Sequence, residues 1–318
     1  MKKSTSFAAI AALAACAGSP AAIACSSCGC TLSSNWGSQG AGSDNGWMFD
    51  LRYDYFNQDE LRSGTHSVDR GSLEIPNEQE IQQTTINRNY TLNLDYAKGN
   101  WGVNVQVPWF DRYHTTIAEG DTEVSTSHSK SFGDVRVLGR YNGFSDDRSI
   151  GVQAGLKFAT GPFHETFIAG PQAGEPLDRG LQPGTGTTDL LLGAYNFGSL
   201  SRDWDYFAEA LLQVPLAARE DFKPGAGVNV NAGFRYMSFE HVVPQIQLNV
   251  RSEKRESGAN ADIDNSGATL VYLSPGITVH LSQDWRAYAF FQVPVYQRVN
   301  GLQLEPRYTV SVGVSLSM

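Results

Sequence analysis

The chain has 318 residues, a formal net charge of −9, a hydrophobic fraction of 41% and a mean hydropathy of −0.30. An acidic chain of this kind is not expected to bind nucleic acid, which selects basic surfaces. No run of about 18 apolar residues follows the N-terminal leader, so no membrane-spanning helix is predicted. The length allows two soluble domains or one large β-domain.

The first residues form an export signal. A basic start is followed by an apolar core over Phe7–Ala15 and by an A-x-A cleavage site that ends at Ala24. Cleavage there removes a signal peptide of residues 1–24 and leaves Cys25 as the first residue. Leu13–Cys16 resembles a lipobox, but cleavage at that point would leave an unusually short apolar core. Both interpretations export the protein from the cytoplasm.

Residues 25–46 show no periodicity and are predicted to form a periplasmic tail or a plug. Their main feature is three thiols in six residues, Cys25, Cys28 and Cys30. These cysteines could form a structural disulfide, with Cys25 acylated or unpaired, which is the reading we favour. They could also bind a thiophilic metal such as Cu(I) or zinc, or exchange disulfides. Gly29 follows Cys28 where a c-type haem motif has histidine, so haem attachment is not predicted.

Residues 47–318 repeat one pattern, in which apolar residues alternate with polar ones. Period-two alternation places the two sets on opposite faces of a β-strand. We count twelve such strands. Their apolar sets begin near Trp47, Tyr90, Trp101, Val135, Ile150, Leu191, Trp204, Val228, Val242, Ala268, Trp285 and Tyr308.

Two strands carry further expectations. In the sixth strand, the apolar outward set is predicted to be Leu191, Gly193, Tyr195 and Phe197. In the tenth strand, Pro275–Gly276 is expected to cause a bend or a bulge.

The connections between the predicted strands alternate between long and short. Long polar segments are predicted over Gln58–Thr84, Asp111–Ser131 and Thr160–Gly186, whereas Lys98–Asn100 is a tight turn. Outer-membrane barrels have this asymmetry, with long extracellular loops, short periplasmic turns and an even strand number. We therefore predict an all-β protein that forms a single closed antiparallel transmembrane β-barrel of about 12 strands in the bacterial outer membrane. A soluble sandwich could alternate in the same way, but it would not be expected to sort its loops by length.

The inward positions of the predicted strands carry many charges. One interpretation is a charged pore lining that selects solutes by sign. The other, which we favour, is a set of ion pairs that fills a narrow lumen and holds the barrel in shape. The predicted lining residues are Asp50, Arg52, Asp54, Asp95, Arg136, Arg140, Lys157, Glu209, Arg235, Arg251, Arg286 and Arg307.

Three segments of the chain have a distinctive sequence. They are Ser131–Arg136 (SFGDVR), Leu177–Tyr195 (LDRGLQPGTGTTDLLLGAY) and Phe291–Leu304 (FQVPVYQRVNGLQL). These segments resemble the MetA-pathway phenol-degradation-like family of bacterial outer-membrane barrels, a loose group of transporters of small, often aromatic or apolar compounds. The resemblance covers most of the chain after residue 47 and excludes the N-terminal cysteines. It implies a barrel that passes small molecules.

The functional prediction is an outer-membrane channel, or porin, that passes small solutes by passive diffusion through a polar, charged lumen. The alternative is a structural or assembly barrel whose cysteine cluster binds a metal or a periplasmic redox partner. An enzyme is not predicted, because His280 is the only histidine within a predicted strand and no serine–histidine arrangement stands out. Outer-membrane lipid and a small solute are the expected partners, and no cofactor is expected apart from a metal at the cysteines.

Overall fold

The structure is a computed structural model that describes residues 32–33, 35–43 and 45–318. The predicted signal peptide and the cysteine cluster lie outside the described residues, so both stay predictions. The described part of the N-terminal segment lies inside the barrel and forms a short 3-10 helix, Trp36–Gln39. Within the described residues, no helix has both the length and the apolar character needed to cross a membrane.

The described residues form thirteen strands, which are joined into one antiparallel sheet. Their bounds are β1 Gly46–Gly64, β2 His66–Ser67, β3 Ile81–Lys98, β4 Trp101–Ile117, β5 Val124–Phe132, β6 Arg136–Tyr141, β7 Ile150–Lys157, β8 Asp189–Ser199, β9 Trp204–Pro215, β10 Gly227–Tyr236, β11 Val242–Glu253, β12 Ala268–His280 and β13 Trp285–Ser317.

Eleven of these strands close into a barrel, because β13 pairs with β12 on one side and with β1 on the other. The 33 residues of β13 cross the wall twice. A straight strand of that length would extend over roughly 110 Å, yet the amide of Ser317 donates to the carbonyl oxygen of Asp284 at 2.9 Å. The chain reverses near Gly301, which has a positive φ of 55°. The wall therefore contains twelve passes, and the predicted closed barrel is confirmed.

The two remaining strands extend the sheet at its extracellular end. β2 pairs with the top of β1, and β5 pairs with the upper half of β4. The predicted loops over Gln58–Thr84 and Asp111–Ser131 are consequently shorter than expected, since β1 continues to Gly64 and β4 to Ile117. Above the membrane both faces of a strand meet polar surroundings, so the apolar alternation fades although the hydrogen-bonded ladder continues.

The barrel is apolar outside and polar inside. On β1, Leu51 is 49% exposed while its neighbour Asp50 is 1% exposed, and on β3 Leu92 is exposed while Asn93 is buried. A soluble protein would bury the leucines. An exposed apolar belt around a closed sheet matches the lipid-facing surface of an outer-membrane barrel. The protein is therefore located in the outer membrane.

The prediction for the sixth strand exchanged its inward and outward faces. Leu191 is fully buried and Tyr195 is buried inside the barrel, whereas Leu192 is 43% exposed on the outside. Leucine occurs on both faces of this segment, at Leu191 and at Leu192, so its alternation does not define which face is inward. The inward face is defined by Asp189, which forms an ion pair with Lys157 on the neighbouring strand.

The expected bend at Pro275–Gly276 was also wrong. β11 pairs through both residues without a shift in register, and the only irregularity between β12 and β13 lies at Val271 and Tyr272. Gly276 instead makes room for the ring of Phe290, since a Cβ atom there would lie 2.2 Å from that ring.

Candidate functional site

The lumen is occupied near its periplasmic end by residues 32–33 and 35–43, which we call the plug. The side chain of Asn35 accepts a hydrogen bond from the Ser38 amide and caps the short helix of the plug. Gly40 ends the helix with a positive φ of 69°, and a Cβ atom there would collide with the ring of Phe197 on the barrel wall. The helix therefore ends where the wall leaves space only for glycine.

An aromatic cluster holds the centre of the plug. The indole of Trp36 packs edge-on against Tyr288, with ring centroids 4.8 Å apart, and stacks with Phe290 at 6.5 Å. Leu32 and Met48 complete this cluster. Burial of these side chains is the apolar contribution to plug binding.

Three wall arginines bind the main chain of the plug. Arg52 Nη1 donates to the carbonyl oxygen of Leu32 at 3.1 Å, and Arg286 Nη1 donates to that of Ala41 at 2.8 Å. Arg235 Nη2 donates to the carbonyl oxygen of Gln39. Three predicted pore-lining cations thus bind protein carbonyl groups.

Side chains of the plug also bond to the wall. Ser38 Oγ donates to the carboxylate of Glu209, and Asn35 Nδ2 donates to Gln153 Oε1 at 2.9 Å. The plug is therefore bound on several sides, and its position does not depend on one contact.

A cavity of about 280 Å³ lies directly above the plug. Leu32 and Asn35 of the plug form its floor, and Gln182 and Phe222 from extracellular loops form its roof. Six of the predicted lining residues border this cavity, namely Arg52, Asp54, Arg136, Lys157, Glu209 and Arg251.

Two further cavities lie on the other side of the plug. One, of about 390 Å³, is lined by Gly42, Arg148 and neighbouring residues of the periplasmic turns, and the other, of about 140 Å³, is lined by Ala41 and Met237 among others. The plug thus separates the central cavity from the periplasmic mouth of the barrel.

Asp134 fixes the roof of the central cavity. Its carboxylate accepts hydrogen bonds from Lys157 Nζ at 2.8 Å, from the Gly161 amide at 3.1 Å and from the Thr185 amide at 3.0 Å. Lys157 also pairs with Asp189 at 3.2 Å. Asp134 and Asp189 belong to two of the segments that resemble the transporter family, and together they tie the loop after β7 to the wall.

Arg179 joins two extracellular loops above the cavity. Its guanidinium lies 4.5 Å from the ring centroid of Phe163 and 4.8 Å from that of Phe222. It also donates to the carbonyl oxygen of Thr185 at 3.1 Å and pairs with Glu220 at 3.5 Å. The roof is therefore an interlocked structure made from the loops that follow β7 and β9.

Replacement of Asp134 by alanine is expected to release the loop after β7. Four donor groups on Lys157, Gly161 and Thr185 would lose their shared acceptor, and of the two carboxylates that pair with the buried Lys157, Asp189 would remain. Limited trypsin digestion of the protein in detergent should then cleave after Arg179 at least about tenfold faster, because cleavage follows the open population. Asp146→Ala, in an exposed periplasmic turn, is the matched control and should leave the rate unchanged. Equal rates in both variants would contradict this role of Asp134.

The other predicted lining residues have different positions. Asp95 and Arg140 form a buried two-point ion pair low in the lumen, and Arg140 also packs against Gly37 of the plug. Asp50 accepts hydrogen bonds from Tyr288 and Asn93.

Arg307 was wrongly predicted to line the lumen. Its side chain is 66% exposed and pairs with Asp59 on the outer side of the wall. Register shifts near Asn57 place Arg307 and Tyr308 together in a bulge, which turns both side chains outward.

Neutral side chains that the sequence analysis did not single out complete the site. Gln153 binds the plug, Asn231 Nδ2 donates to Glu209 at 3.1 Å, and Arg136 Nη2 donates to Gln213 at 3.3 Å. All three amides occupy inward positions, so their alternation was the available signal. Arg112, which donates to the Leu181 carbonyl oxygen at 2.7 Å, lay in a segment predicted as loop.

No protein-family model matches the sequence, and no curated protein matches it. Among solved structures, an outer membrane channel from Pseudomonas putida F1 superposes with a TM-score of 0.65 and 10% sequence identity, covering 87% of this chain and 96% of that one. This similarity shows a shared outer-membrane barrel fold. Lower TM-scores of 0.47 are found for the translocator domain of the autotransporter NalP from Neisseria meningitidis (10% identity, 87% and 90% covered) and for a monoaromatic hydrocarbon channel, the TodX ΔS2S3 mutant (11% identity, 87% and 91% covered).

Proposed function

We propose that this protein is an outer-membrane channel that passes small polar solutes by passive diffusion through the central cavity. The observation that carries the proposal is a polar cavity of about 280 Å³ enclosed in a closed barrel between a bound plug and a looped roof. That volume is at the lower end of the range for small-molecule sites. The fold shared with the Pseudomonas putida channel supports transport rather than catalysis.

Ion pairing within the wall restricts the selectivity of this channel. Six cations and five carboxylates line the cavity. Lys157 pairs with two carboxylates and Arg52 with Asp54, so much of the charge is compensated before a solute arrives. We infer selection by size and hydrogen bonding, with only a weak preference for anions.

The plug determines when the channel is open. In the part of the chain that the structure describes, residues 35–43 lie between the central cavity and the two cavities below, so solute passage to the periplasm is proposed to require their movement. The resting channel is therefore proposed to be nearly closed.

Liposome swelling and planar-bilayer recordings test this function. Wild-type protein should admit small polar solutes slowly, and a variant with a released plug should admit them rapidly with a sharp size limit. The reversal potential in a salt gradient should show weak anion preference. If the plug-released barrel, shown to be folded, passed no solute of any size, the channel function would be wrong.

A further inference from the structure

The outer wall carries a basic patch just above its apolar belt. Neighbouring strands align Tyr53, Tyr90, Trp109 and Phe132 in one outward row. Ring centroids of Tyr90 lie 5.0 Å from Tyr53 and 5.5 Å from Trp109. Such an aromatic row marks the boundary between lipid and water.

The distance of this row from the periplasmic end of the barrel agrees with the height of the apolar band of an outer-membrane barrel. On β4, Trp101 and Trp109 are both outward and lie eight residues apart. At a rise of about 3.4 Å per residue and a tilt of about 40°, they are separated by roughly 21 Å along the membrane normal. The outward residues above Trp109 therefore reach the level of the lipid headgroups.

The next outward row, directly above the aromatic row, contains the first of two clusters of charged residues. Register aligns Arg88, Asp111 and Lys130 on β3, β4 and β5. Lys130 Nζ lies 3.7 Å and Arg88 Nη1 4.0 Å from the carboxylate of Asp111, and His128 Nε2 lies 2.7 Å from it. The side chains of Arg88 and Lys130 remain 41% and 55% exposed. One carboxylate thus lies among three basic groups.

A second cluster lies two strands away on β13 and the loop after β2. Arg307 pairs with Asp59 at 3.4 Å, and Arg70 Nη2 donates to the carbonyl oxygen of Asp59 at 2.8 Å. The pKa of Arg70 is lowered, mainly by desolvation and also by the nearby positive charge of Arg307. The Asp59 carboxylate acts in the opposite direction. The two clusters together contain Arg70, Arg88, Lys130 and Arg307 against Asp59 and Asp111, which gives four cations minus two carboxylates, or a net charge of +2 without His128.

The opposite wall has no such charges at the positions compared. The outward residues near the tops of β8, β9 and β10 are Leu190, Val214 and Val228. The chain as a whole is acidic, so a basic surface at headgroup height on this wall is not explained by composition.

We propose that this patch, which consists of Arg70, Arg88, Lys130 and Arg307 on the outer wall, binds the phosphate groups of an anionic glycolipid in the outer leaflet. Strands β13 and β3 are two positions apart in the sheet, which separates them by ~10 Å, and Arg307 lies about two residues further along the strands than Arg88. The backbones at Arg307 and Arg88 are therefore separated by roughly 12 Å. That spacing suits a headgroup with two phosphates, one for each cluster, while the acyl chains pack on the aromatic row and the apolar belt below. Arginine is well matched to phosphate because its fork donates two hydrogen bonds.

Native mass spectrometry of the full-length protein in detergent, titrated with diphosphoryl lipid A, tests the proposal. The variant Arg88→Ala/Lys130→Ala/Arg307→Ala should bind on the order of tenfold to hundredfold more weakly, since each headgroup contact contributes about fivefold. The control Lys98→Ala/Arg202→Ala/Lys254→Ala removes three exposed cations elsewhere and should bind like the wild type. Lipid A without phosphates should bind the wild type as weakly as the triple variant binds lipid A.

The proposal fails if the wild type does not bind lipid A, if the triple variant binds as tightly as the wild type, or if the control variant loses as much affinity. It also fails if equimolar inorganic phosphate displaces the lipid, because the patch would then recognise the free ion. Heat-dependent migration on gels verifies that each variant is folded. If the triple variant does not fold, the single variant Lys130→Ala replaces it, because β5 lies outside the closed wall and the substitution should not disturb the barrel. Lys130→Ala should weaken lipid A binding about fivefold. Unchanged binding would overturn the proposal.

Discussion

The variant Arg235→Ala/Arg286→Ala is expected to conduct ions at least about tenfold more than the wild type in planar bilayers. The two guanidinium groups donate to the carbonyl oxygens of Gln39 and Ala41. A hydrogen bond from a charged donor contributes about 1.5–3 kcal/mol. Loss of both would weaken plug binding by roughly 3–6 kcal/mol, which corresponds to a hundredfold or greater increase in the open population.

Two controls separate plug release from general damage to the barrel. Arg202→Ala/Arg219→Ala removes the same charge from exposed positions in a turn and a loop and should leave the conductance unchanged. The emission of Trp36, obtained as the difference from a Trp36→Phe protein, should shift to longer wavelength when the indole leaves Tyr288. A folded double variant with unchanged conductance and unchanged emission would show that the arginines do not hold the plug.

Replacement of Arg140 by methionine is expected to destabilise the folded barrel by about 3–5 kcal/mol. Arg140 binds both carboxylate oxygens of Asp95, and their side chains are 6% and 1% exposed. Among the described residues, the variant would leave the buried Asp95 carboxylate with Asn104 Nδ2, at 3.3 Å, as its remaining side-chain donor. Urea unfolding in detergent, followed by loss of the heat-resistant band on gels, measures the change.

The second replacement in this pair provides the decisive comparison. Asp95→Asn in the Arg140→Met background removes the uncompensated charge and should restore at least half of the lost stability. Arg219→Ala, which breaks an exposed ion pair with Glu220, should cost less than about 1 kcal/mol. If Arg140→Met were as mild as Arg219→Ala, the buried pair would contribute little to the barrel.

The prediction that the N-terminal cysteines form a disulfide, a lipid anchor or a metal site is independent of these results. Cys25, Cys28 and Cys30 precede the plug by a few residues.

The chemistry of the lumen could be predicted only in part. Alternation placed Asp95, Arg140 and Glu209 on the inner face, because side-chain direction follows from the pleat of each strand, and the structure buries all three side chains. It could not show that Arg140 binds Asp95, which is 45 residues away in sequence, or that Glu209 contacts Ser38 of the plug. Such partners depend on the register of strands across the barrel, and that register is set by many backbone hydrogen bonds at once.

The architecture of this protein could be predicted from local sequence patterns. Strand direction, the apolar outward face and the alternation of short and long connections all follow from local geometry, so twelve passes and a membrane location could be read before any coordinates. The arrangement of the interior residues depends on contacts that form only in the folded barrel. The plug lacks periodicity, the inward face of β8 depends on Lys157 of β7, and Arg307 is turned outward by a bulge opposite β1. In each case the deciding contact joins residues far apart in sequence, and a repeating local pattern carries no information about it.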